Sequence, residues 1–136
     1  MTTAILLRIT SAISFLLAAG HTLGSWSSWS PVGDTEVLTS MRTFQFQTVG
    51  VTRSYLDFYR GFGFDLSVFF VLQAVVLWQL ATMAKTNPRP LKPIIASFTV
   101  AAMALSILAW EYLFPVPVAF CLAITAGLGL ALCLGR

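Results

Sequence analysis

The charged residues of this 136-residue chain leave four long intervals empty, and those intervals constrain the fold more than any motif does. No Asp, Glu, Lys or Arg occurs from Ile9 to Gly33, from Leu66 to Ala84, from Pro93 to Trp110, or from Tyr112 to Gly135. A bilayer core of about 30 Å takes about 20 apolar helical residues to cross. The gaps predict four membrane spans, at residues 4–20, 63–84, 91–110 and 117–134. Backbone in hydrocarbon must satisfy its own hydrogen bonds, and these segments are too long for barrel strands, so helices are expected. Composition agrees: 57% of residues are hydrophobic and 10% charged, against about 25% charged in a soluble domain. A soluble globule and a disordered chain are excluded, and two cysteines are too few for a disulfide-framed miniprotein. The expected fold is all-α: one polytopic membrane domain, an antiparallel four-helix bundle with a structured outer connection over residues 22–62.

Ser11–Gly20 followed by His21 also fits the apolar region and cleavage site of a signal peptide. Arg8 is the only side-chain charge ahead of it, a thin positive region for a signal, so a retained helix is expected. Lys85, Arg89 and Lys92 crowd the turn between the second and third spans, and Arg136 falls on the same side. By the positive-inside rule that side is cytoplasmic, which predicts an inner-membrane protein with both termini inside. Arg42, Arg53 and Arg60 oppose this bias, but they are spread along a longer stretch among acidic residues. The net charge of +3 suits contact with anionic membrane lipid and gives no surface adequate for nucleic acid. Arg8, about a turn from the interface, can snorkel to lipid phosphate or find a buried ion-pair partner.

The connection from His21 to Phe62 is too long for a plain loop. Trp26 and Trp29 place two indoles where an aromatic belt belongs. Asp34 is the expected N-cap of a short helix through Thr43 or beyond, with Val37, Met41 and Phe44 on one face. Phe44-Gln45-Phe46-Gln47 alternates with period two, so a short extended piece is the alternative. From Thr52 the pattern is helical again, with Arg53, Asp57 and Arg60 spaced for intrahelical pairing. One helix from there to Met83 would be about 48 Å long, so part of it must project from the bilayer. Gly61 and Gly63 offer a hinge or a close-packing point. Asp65 and Gln73, farther along, should face protein or a wet cavity.

Thr86-Asn87-Pro88-Arg89-Pro90 breaks the chain between spans, and Trp110–Pro117 forms a tight turn between the last two. In the fourth span Ala119, Ala123, Gly127, Ala131 and Gly135 recur every four residues, a ladder that lets a helix of this chain, or of a second copy, approach closely. Cys121 and Cys133, about 18 Å apart on one helix, cannot bond within it; they read as structural thiols.

All five acidic residues fall on the expected outer side with the single histidine. His21, Asp57, Arg60, Asp65 and Glu111 lie at helix ends, which in a small bundle stand within about 10–15 Å of one another. They could converge beneath the connection, walled by Tyr55, Tyr59, Tyr112, Trp26, Trp29 and Trp110. The alternative is an interfacial polar rim without a pocket. A single histidine excludes bis-histidine haem ligation within the chain, and no zinc, thiol-redox, phosphate-loop or G-x-S-x-G motif occurs. No cofactor or metal is implied.

Arg53-Ser54-Tyr55-Leu56-Asp57-Phe58-Tyr59-Arg60-Gly61-Phe62-Gly63, with His21-Thr22-Leu23-Gly24 before it, resembles the signature of a family of small bacterial four-helix membrane proteins without an assigned activity. The resemblance implies the topology and no catalytic roles. At the level of topology the chain also resembles DoxX-like and EXPERA proteins, the latter including sterol isomerases and lipid-binding proteins. The leading expectation is a module that binds membrane lipid or another hydrophobic small molecule in an outward-facing pocket. An isomerase-like acid–base enzyme, a small transporter and an accessory subunit are the alternatives.

Overall fold

In a computed structural model, which describes residues 2–26, 30 and 32–135, the chain is mostly helical. The elements in order are α1 (Thr2–Ser25), α2 (Glu36–Thr43), β1 (Gln45–Thr48), β2 (Val51–Ser54), α3 (Tyr55–Met83), α4 (Lys92–Tyr112) and α5 (Pro115–Leu134), with a single 3-10 turn at Arg89–Leu91. Four helices, α1, α3, α4 and α5, are long and apolar enough to cross a membrane. The ends fall where the chemistry requires: the Asn87-Pro88 turn follows α3, Pro93 opens α4, and Pro115 and Pro117 open α5, where a missing N–H costs nothing. The chain divides into two compact units, one made of the chain up to Leu17 and from Phe70 on, the other of Ala18–Phe69.

In the first unit Leu7, Leu77, Ile95, Ile124 and Leu128 are fully enclosed together with Thr10 and Ser14. Apolar burial contributes little between helices in lipid, so close approach and hydrogen bonds hold such a seam. Ser11 Oγ donates to the Ala74 carbonyl at 2.6 Å, and Gln73 Nε2 donates to Ser14 Oγ at 2.9 Å. Gln73 is thereby satisfied inside protein. Between α4 and α5, Ser106 Oγ and Thr125 Oγ1 are 3.1 Å apart. Gly127 backs onto Thr10 so closely that a Cβ there would collide with its hydroxyl, and Ala131 is fully buried. Ala119 and Ala123 are exposed, because a four-residue repeat drifts around a 3.6-residue helix.

The second unit departs most from the sequence reading. The connection contains both a helix and an antiparallel hairpin, with Gln45 opposite Ser54 and Thr48 opposite Val51, so the fold is not purely α. Val49 and Gly50 form a two-residue turn, both at positive φ, 46° and 81°, the backbone of a type I′ hairpin. The N-cap of α2 is Thr35, whose Oγ1 accepts from Leu38 N at 3.2 Å. Asp34, the expected cap, instead pairs with Arg42 at 3.5 Å. Leu38 is the residue α2 buries, whereas Val37 and Phe44 are exposed.

Candidate functional site

Ser54 ends β2 and starts α3 in the same stroke. Its Oγ accepts from Asp57 N (3.2 Å), while its own N–H (2.8 Å) and hydroxyl (3.0 Å) donate to Asp57 Oδ2. This reciprocal capping box satisfies donors that the first turn would otherwise leave orphaned. α3 therefore begins at Tyr55, not Thr52, which corrects the expected pairing of Arg53, Asp57 and Arg60 along one helix. Arg53 lies on β2 and its guanidinium donates to Thr52 O at 2.8 Å. At 29 residues α3 is about 43 Å long, so its first turns project beyond a bilayer core. There the Ser54 N–H and hydroxyl, aided by Arg53 and Arg60, hold the Asp57 carboxyl below its ordinary range. A carboxylate so held is a weak proton acceptor, which suits a cap and not a general base.

With the hairpin folded back on this start, a continuous row of rings forms. Tyr55 stacks on Phe44 (centroids 5.6 Å) and touches Phe46 (5.0 Å), Phe46 meets Phe58 (5.6 Å), and Phe58 meets Phe62 (6.3 Å). The separations are those of favourable aromatic pairs, yet Phe44, Tyr55, Phe58 and Phe62 remain open to the surroundings. Tyr59 is likewise exposed on the same projecting turns. A contiguous apolar surface of this kind marks a membrane or ligand contact. Asp65 follows Phe58 and Phe62 at helical spacing on the same face. It is exposed and makes no hydrogen bond or ion pair among the described residues. That differs from the sheltered setting expected of it. Arg60 is half-buried.

His21 ties two helices together. Its Nε2 donates to the Gly63 carbonyl at 3.1 Å, which fixes the proton on that nitrogen. Ser67 Oγ donates to the same carbonyl at 3.3 Å and accepts from Thr22 Oγ1 at 2.8 Å. Trp26 packs edge-on against Phe64 at 6.2 Å. Gly63 thus marks a polar crossing, while Gly61 faces open space and makes no close contact; α3 passes through both without interruption. Trp29 lies outside the described residues. Glu111 ends α4, exposed, within the unit that does not include the other four ionisable residues.

One further feature belongs to the first unit. Arg8, Ser11, Ala12 and Phe15 form one stripe of α1. Ala74, Val75, Trp78 and Gln79 form two adjacent rows of α3. Ser11, Ala12, Phe15 and the four α3 residues line an open, apolar groove of about 420 Å³. The Arg8 guanidinium lies 4.6 Å from the Trp78 ring centre, and its Nε is buried without a hydrogen-bond partner. A second interstice, among Phe70, Gln73, Ala102, Leu105, Cys121 and Ile124, is too tight for a water molecule.

The alternation of Phe44-Gln45-Phe46-Gln47, the extended alternative, runs into β1; sequence reasoning missed β2 and the capping box, for which Ser54-x-x-Asp57 was the local signal. Comparison of the chain with protein-family models, curated proteins and solved structures gave no match.

Proposed function

We propose that this chain is an antiparallel four-helix protein of the inner membrane, with both termini cytoplasmic, that holds a lipid-like or other hydrophobic small molecule at its outer end. The observation that carries this reading is the exposed aromatic row from Phe44 through Tyr55, Phe46 and Phe58 to Phe62. Rings give a large apolar contact at low entropic cost, since each has only two side-chain torsions to fix. Asp65, one turn past Phe62, and Arg60 supply charge for a polar head. His21 sets the crossing of α1 and α3 beside them. Binding is favoured over acid–base catalysis by Asp57, whose carboxylate is committed to Ser54. It is favoured over transport by Gln73, whose amide is committed to Ser14.

Native mass spectrometry of protein taken directly from membranes tests this. The wild type is expected to retain a bound amphiphile, and a Phe46→Ala/Phe58→Ala variant to lose about thirtyfold in affinity, from about 1 kcal/mol per truncated ring. A wild-type protein that carries no ligand, or a variant that binds as well, contradicts the reading.

A further inference from the structure

We infer that the groove between α1 and α3 is a second site, which binds an anionic phospholipid from the leaflet on the side of the chain termini. Its polarity runs in the direction an amphiphile requires. Arg8 is six residues into α1 and Trp78 five residues before the end of α3, so both lie about 7–9 Å from the same helix ends. At that depth an arginine reaches the phosphate layer. From Arg8 the groove deepens along Ser11, Ala12 and Phe15 on one wall and Val75 and Ala74 on the other, about 10 Å toward the bilayer centre. Ser11 is already satisfied by the Ala74 carbonyl. The deep end therefore offers only apolar contact, as an acyl chain needs. Ala12 and Ala74 make the room, and Trp78 and Phe15 form the sides.

The shallow end demands an anion. Arg8 has a buried, unpartnered Nε and no ion pair among the described residues. A guanidinium at membrane depth is unfavourable without a partner. The Trp78 ring lies 4.6 Å from the guanidinium carbon, and a phosphate at this end would complete the pairing by a charge-assisted contact, bidentate in its preferred form. The groove shares no residue with the aromatic row, so its failure leaves the proposed function untouched.

The test uses the full chain in detergent, titrated with phosphatidylglycerol and with phosphatidylcholine of the same chains, and read by native mass spectrometry. The wild type is expected to prefer phosphatidylglycerol by about tenfold, the value of one charge-assisted hydrogen-bonded contact. Arg8→Gln should erase the preference and Arg8→Lys should reduce it, since an ammonium is not bidentate. Ala12→Phe, which keeps the charge but fills the groove, should lower binding of both lipids. Arg89→Gln removes a charge at the same end outside the groove and should change nothing. Equal binding of the two lipids by the wild type, an unaltered preference in Arg8→Gln, or an equal loss in Arg89→Gln overturns the inference. So does competition by water-soluble glycerol phosphate as effective as by the lipid.

Discussion

Val49 occupies a backbone conformation that a β-branched residue rarely adopts, φ 46° at the tip of the hairpin, with its side chain fully exposed. Strain of this kind costs about 1–3 kcal/mol. Val49→Asn, which tolerates left-handed geometry, should therefore stabilise the hairpin by about 1 kcal/mol and slow hydrogen exchange of the β1 and β2 amides about fivefold. Unchanged exchange would show that the turn is not of this type. Next along the chain, Ser54→Ala removes the α3 cap at a cost of about 1 kcal/mol. The same contact predicts a pH effect. Asp57 has its folded pKa lowered by Ser54, so its contribution is complete above the ordinary aspartate value of about 4 and is lost as pH falls through the lower folded value. Proteolysis at the hairpin should rise on acidification below about pH 4 in the wild type, and this dependence should be blunted in Ser54→Ala.

Between elements, the ladder on α5 separates into rungs that pack and rungs that do not. Gly127→Ala places a methyl group against the Thr10 hydroxyl, and Thr10 is almost wholly buried. Overpacking there should cost about 1–3 kcal/mol, whereas Ala119→Leu and Ala123→Leu on the exposed rungs should stay within about 0.5 kcal/mol. Thermal aggregation midpoints in detergent would separate the two classes, and equal effects would refute this division. The four long helices were legible because charge is expensive in hydrocarbon and its absence leaves a visible gap. The elements around Ser54 were not. Arg53, Asp57 and Arg60 have helical spacing whether or not the chain is helical at Arg53, and Val49-Gly50 lacks the Asn-Gly or Asp-Gly that announces a type I′ turn. Asp34 and Thr35 are adjacent residues of cap-forming type, so only the backbone conformation at Thr35 decides between them.

For the molecule as a whole, sequence reasoning looked for a site among the ionisable residues of the expected outer side. The structure shifts the emphasis to what stands between them. Asp57 serves a cap and His21 a helix crossing, whereas Phe44, Phe46, Phe58 and Tyr55 join across some ten residues of sequence once the hairpin folds back. No local pattern foretells that row, because it depends on the register of β1 against β2. The Arg8 groove depends in the same way on which turn of α3 meets α1. The central claim, that the chain binds an amphiphile on the aromatic row, is tested most directly by photolabelling the membrane-embedded protein with a diazirine-bearing lipid analogue and sequencing the labelled peptides. Label concentrated on residues 44–62, and reduced there by Phe46→Ala/Phe58→Ala, is the predicted result. Label spread evenly over the four long helices, with none in excess on residues 44–62, would contradict it.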